Sequence, residues 1–110
     1  MLTKEEILAA DDLPSETVPC KAWKGEVRVR AMNGEVREEF EVADFKANRK
    51  HHAARIVAYC VVDDKGNRVF SDADIEALAL KNGDALLDIV LVAKRINGMM
   101  PGEVEKVVKN

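Results

Sequence analysis

The apolar positions along this chain change period several times, and each change marks an element. Thr3 followed by Glu6 forms a capping box ahead of Ile7 and Leu8, which predicts a short helix ending near Ala10. Asp11-Asp12-Leu13-Pro14 terminates it, because proline disfavours helix at the residue before it. From Glu16 the period becomes two: Val18, Cys20 and Ala22 alternate with polar partners, then Val27, Val29 and Ala31 do the same. The pair predicts a β-hairpin around Gly25, with Pro19 marking its first strand as an edge. Asn33 is a cap for a helix carrying Val36, Phe40 and Ala43 on one stripe, and Asp44 to His52 is a polar connection. Ala54 to Val62 is a near-continuous apolar run rich in β-branched residues, which predicts a central strand. The turn residues Asp63 to Asn67 follow, with Gly66 supplying positive φ. Ser71 caps a helix with Ile75, Leu78 and Ala79 inside, and Asn82-Gly83 stops it. The longest helix is expected over Asp84 to Asn97, with Leu86, Ile89, Val90, Ala93 and Ile96 as its core face.

The fold class this implies is α+β. A small antiparallel sheet, made of the N-terminal hairpin and the central strand, packs against about four helices, and the C-terminal half is helical. Residues 1–98 read as a single domain and 99–110 as a flexible or short-helical tail, in which Val104, Val107 and Val108 form an amphipathic turn. A chain of 110 residues is one domain that builds a core without staples. A net charge of -3 gives no global attraction to nucleic acid or to anionic membrane. Met1 leads into charged residues rather than an apolar leader, so a reducing cytosolic setting is expected, with Cys20 and Cys60 as buried small hydrophobes. No apolar run reaches the roughly 20 residues of a membrane span.

Chemistry-bearing constellations are sparse. The Asp63–Asn67 stretch lacks the ligand spacing of a calcium loop, since the sixth residue after Gly66 is Asp72 and not Glu. Cys20, Cys60, His51 and His52 lack paired zinc-ligand spacing, and the adjacent histidines read as solvated loop residues. The sequence carries no recognisable catalytic motif, metal-ligand spacing or cofactor fingerprint. Lys46, Arg49, Lys50 and Arg55 make a basic patch suited to phosphates or to an acidic partner, although a charged connector accounts for it without either. The remaining surplus is apolar. Leu87, Leu91 and Val92 fall outside the core face of the last long helix, so they either pack under another element of the chain or bind a partner. Internal packing comes first, because a small domain buries its central helices all round.

Two blocks carry a family resemblance. The opening Leu2 to Asp12 leads into a hairpin with Trp23, Gly25, Val27, Val29 and Arg30 at fixed spacing. Further on stands Val62-Asp-Asp-x-Gly66-Asn67-x-x-Phe70-Ser71-Asp72-x-Asp74. In this order the chain resembles the tail assembly chaperones of long-tailed, siphovirus-type bacteriophages and prophages. The resemblance implies an α+β domain without enzymatic activity or cofactor, made in the host bacterial cytoplasm and absent from the mature virion. It implies binding to the tape measure protein, recruitment of major tail tube subunits, self-association, and a longer frameshifted form of the same protein. It assigns no catalytic residues, and Trp23, Gly66 and Phe70 match it in structural roles.

Other readings stay open on the residues alone. One is a virion structural part such as a head–tail connector or tail terminator. Another is a small nucleic-acid-binding regulator using Lys46 to Arg55.

Overall fold

The apolar run after the paired histidines is a helix. In the computed structural model, which describes residues 1–100, α3 spans His52–Cys60 and only Val61–Val62 pair as a strand, β3. This corrects the expected central strand over Ala54 to Val62. From Ala54 to Val62 every residue is buried, so the segment has no polar face to reveal its period. A continuous apolar run of this length fits a buried strand or a buried helix equally well. Tertiary packing decides: α3 touches α2 (Gly34–Lys46), α4 (Ile75–Ala79) and α5 (Gly83–Ile96). Ile56, Val57, Ala58 and Cys60 on α3 form the centre of the core.

The architecture is α+β, as the patterning indicates. β1 (Ser15–Cys20), β2 (Gly25–Arg30) and β3 form one antiparallel sheet in that order. α5 lies against both β1 and β2, so Val18 and Val29 are sealed beneath it. The hairpin is tighter than its sequence suggests: β1 ends at Cys20, Ala22 leaves the strand, and Lys21–Trp23 form a 3₁₀ turn. The left-handed residue of that turn is Lys24, not Gly25. β1 is the edge strand that Pro19 requires. The Ala31 amide donates to the Pro14 carbonyl (2.9 Å), so Glu16, Val18 and Cys20 face β2 in the ladder. Pro19 then sits where an amide would point off the free edge, which blunts the edge against further pairing.

Local signals place most other ends. Thr3 and Glu6 close their capping box around α1 (Lys4–Ala9), which buries none of its residues. Asn33 Oδ1 accepts from the Val36 amide (2.8 Å) and starts α2. Asp74 accepts from the Ser71 amide (2.8 Å), and a 3₁₀ turn over Asp72–Asp74 runs on into α4. Asn82 opens α5 by accepting from the Ala85 amide (3.0 Å), instead of closing the helix before it. Gly98, at φ 67°, ends α5, and the Met99 amide returns to the Lys94 carbonyl (2.8 Å), which lays Met99 back against the core. The tail expected over 99–110, with Val104, Val107 and Val108, lies outside the described residues from Pro101 onward. Cys20 and Cys60 are both buried and free.

The Asp63–Asn67 turn is built as its residues require. Asp63 Oδ1 accepts from the amides of Lys65 (2.9 Å) and Asn67 (3.0 Å), and Gly66 sits at φ 84°. Arg30 Nη2 donates to the Gly66 carbonyl (2.8 Å), and a Cβ at Gly66 would fall against the same guanidinium. Gly66→Ala therefore meets both a backbone penalty and a clash. It should cost more than about 1 kcal/mol in a urea titration, whereas Ala at the unencumbered Gly25 should cost less.

Candidate functional site

The connection between α2 and α3 holds the densest polar cluster of the described residues. Asp44 (5% exposed) and Arg55 (7% exposed) are buried, although the sequence places the first in a polar loop and the second in a surface patch. Arg55 Nη1 donates to Asp44 Oδ1 (2.9 Å) and to the Lys50 carbonyl (2.8 Å). His52 Nδ1 lies 2.9 Å from Asp44 Oδ2, and Arg49 Nη2 lies 3.3 Å from His52 Nε2. A guanidinium only donates, so Nε2 accepts and Nδ1 carries the proton to Asp44. His52 is thus a neutral, half-buried helix residue, not a solvated loop histidine. Burial lowers its pKa from 6.5; Asp44 opposes that shift, while Arg49 and Lys94 add to it.

This cluster holds a strained turn in place. Asn48, Arg49 and His51 all have left-handed backbone (φ 51°, 61° and 59°), which costs a side-chain-bearing residue about 1–2 kcal/mol. The Arg49 amide bonds the Asp44 carbonyl (2.8 Å), and Arg55 bonds the carbonyl of Lys50 between the strained residues. Asp44 and His52 use both their polar ends in this way and leave no group poised for acid–base work. Tyr59 and Cys60 are also far from ionising near neutral pH. Burial, then Asp72 at 2.8 Å, pushes the Tyr59 phenol up to about 12, and burial pushes the Cys60 thiol up to about 11. Among the described residues no group of three His, Cys, Asp or Glu is placed to hold a metal ion, and no helix is long and apolar enough to cross a membrane.

The expected basic patch does not assemble. Lys46 faces a groove with Glu38, Val42 and Tyr59; Lys50 faces a second with His51 and Glu76; Arg49 lines a third with Phe45 and Lys94. Arg55 borders the second groove beside Lys50, but it is 7% exposed and its charge is paired with Asp44, so of the four only Lys50 and Arg55 meet.

The α5 residues separate too. Leu87 and Leu91 are 50% and 46% exposed, so the expectation that they pack internally is corrected for both. Val92 is half-buried and packs on the core, as internal packing requires. At 100° per residue, Leu87 and Leu91 share one side of α5, and Asp84, Asp88 and Arg95 separate them from Val92. Arg95 is tied to Glu16 of β1 by a salt bridge, which puts the Val92 side over the sheet edge. Sequence reasoning also missed the exposed apolar residues Val42, Val69, Leu80 and Phe45, the last 83% exposed at the end of α2. Phe45 falls 180° from Val36 on a 100° wheel, a signal available only once the helix is carried past Ala43 to Lys46.

Two outcomes follow from the buried cluster. Asp44→Ala leaves Arg55 charged and unpartnered in the interior, and should cost about 3–5 kcal/mol in chemical denaturation. Asp44→Leu combined with Arg55→Met should recover most of that loss, since an apolar pair removes the stranded charge. The second outcome concerns pH. The folded-state pKa of His52 lies below 6.5, so its contribution is complete above pH 6.5 and is lost as pH falls through the lower folded value. Melting curves at pH 7.5 and pH 5 should show a larger drop for the wild type than for His52→Gln.

No family model and no curated protein matches this sequence. Among solved structures, one titled as the tail assembly chaperone of bacteriophage HK97 superposes with a TM-score of 0.59. The match covers 88% of this chain and 92% of that one, at 17% sequence identity. Likeness at that identity speaks for the fold: this chain folds as a phage tail assembly chaperone does.

Proposed function

We propose that the protein is a non-enzymatic tail assembly chaperone of a long-tailed, siphovirus-type phage or prophage. It binds the tape measure protein, keeps it soluble and recruits major tail tube subunits around it. The observation that carries this reading is the fold shared with the HK97 chaperone over most of both chains. The same reading includes self-association, a longer frameshifted form, residence in the host cytoplasm and absence from the mature virion.

The surface supplies a physical means. A tape measure protein is a long amphipathic helix, and such a helix is recognised through anchors at i, i+3, i+4 and i+7. Leu87 and Leu91 form an i, i+4 pair exposed on α5. Val92 supports that helix from the side of the sheet. The acidic and basic neighbours Asp84, Asp88 and Arg95 keep the free face wet.

Co-expression with a tape measure protein encoded downstream, followed by affinity pull-down, tests the reading. The wild type should yield a soluble complex. Leu91→Asp should lose it by at least tenfold while its melting temperature stays within a few degrees, because a half-exposed site tolerates a charge. An insoluble tape measure protein beside a well-folded partner, with this chain recovered from purified particles, would sink the proposal in favour of a virion component.

A further inference from the structure

The outer stripe of α5 does not end at Leu91. Lys94 is seven residues beyond Leu87, and at 100° per residue Leu87, Leu91 and Lys94 occupy one narrow arc. The stripe is about 10 Å long from Leu87 to Lys94. Lys94 is also a wall of the groove between α2 and the end of α5, whose volume is about 420 Å³. Phe40 and His52 form its floor, in ring contact at 5.9 Å, and Phe45 and Met99 stand at its mouth. The convex stripe therefore runs into a concave apolar site.

Glu41 and Asp44 line that site together with Arg49 and Lys94, but both carboxylates already have cationic partners. Glu41 is bound to Arg37 (3.1 Å), and Asp44 is buried and used by Arg55 and His52. Arg49 and Lys94 line the same groove, and among the described residues neither pairs with a carboxylate. An apolar site with a net positive rim is complementary to an apolar anchor flanked by carboxylates.

We infer that this groove extends the α5 stripe, and that its occupant is an amphipathic partner helix with carboxylates at the end passing over Lys94 and Arg49. The inference rests on the proposed function in taking the partner to be a helix. Its apolar residues would meet Leu87 and Leu91 at successive turns and then set one larger side chain between Phe45 and Met99. Methionine adapts to such a guest, and an exposed aromatic gives it a rigid wall. The charges also set direction, since the reversed helix would bring its other end to the two cations. Nucleic acid fits less well: the groove offers one exposed ring and two cations without a carboxylate partner, and Glu38 and Glu39 stand on the same helix as Phe45.

The test uses fluorescence anisotropy with the full chain and two labelled synthetic helices of about 20 residues. Both carry leucines at i, i+4, i+7 and i+11; one ends in a cluster of glutamates, the other in lysines. The glutamate-ended helix should bind better, and Phe45→Ala should weaken it about tenfold, the cost of losing one central anchor. Lys94→Glu should weaken it comparably and improve binding of the lysine-ended helix. Both positions line open surface, and circular dichroism checks that the variants stay folded.

Three results would each overturn the inference. One is binding lost with Leu91→Asp but indifferent to Phe45→Ala and Lys94→Glu. Another is failure of the folded wild type to distinguish the two helices. The third is a labelled 20-nucleotide single strand that outcompetes both through the same residues. The first of these leaves the proposed function standing. Because the peptides replace the tape measure protein, a failed pull-down and a failed peptide measurement report on separate claims.

Discussion

Burying α3 on every side from Ala54 to Cys60 is the constraint that organises this protein. Such a helix has no solvent face on which to carry its polar residue, and Arg55 stands in its first turns. A guanidinium in that position is tolerated only with a carboxylate and a carbonyl at hand, and these come from Asp44 and Lys50. The partner must reach back from the end of α2, so the chain between the helices has to reverse within a few residues. It does so through three left-handed residues, none of them glycine. The ion pair, the strained turn and the angle between α2 and α3 are therefore one arrangement. Its outward consequences are the placing of Arg49 and the exposure of Phe45.

Much of the fold is legible from neighbours in sequence. The Thr3–Glu6 box, the Asn33 cap, the Asp63–Gly66 turn and the core stripe of α5 all depend on residues within four positions of one another, and all appear as read. The failures share a cause. Ala54 to Val62 is buried on all sides, which erases the period that separates helix from strand, and β-branched content then points to the wrong element. Asp44 looks solvated because nothing local reveals Arg55 eleven residues away as its partner. Asn82 closes one helix and opens another with equal local sense, and only the structure shows which.

The candidate surface is legible to a different degree. A helical wheel identifies Leu87, Leu91 and Val92 as outside the core face, but it cannot say what lies above them. The general rule that small domains bury their central helices favours internal packing. In this fold the rule is met by α3 instead, which frees the outer side of α5 to remain open. Val92 alone follows the rule, because the sheet edge reaches its side of the helix. The basic residues show the converse: Lys46, Arg49, Lys50 and Arg55 are close in sequence, yet a helix end and a tight turn send Lys46 and Arg49 to separate grooves and leave only Lys50 and Arg55 side by side.

On the proposed reading, the modest size of the open stripe is itself functional. Two half-exposed leucines beside Asp84, Asp88 and Arg95 stay short of the contiguous apolar patch that draws soluble proteins into nonspecific association. One such contact is weak. A rod-like partner that repeats its anchors along its length converts many weak contacts into firm coverage without any single strong one, because neighbouring sites on one rod are met at high effective concentration. Strength then resides in the number of copies, and the free protein stays soluble while it waits for the rod. A deep, dry groove of high affinity would lose that balance, since its apolar surface would be exposed whenever the partner was absent. On that proposal, the shallow ridge of α5 leading to one small pocket would combine solubility when free with specificity when bound.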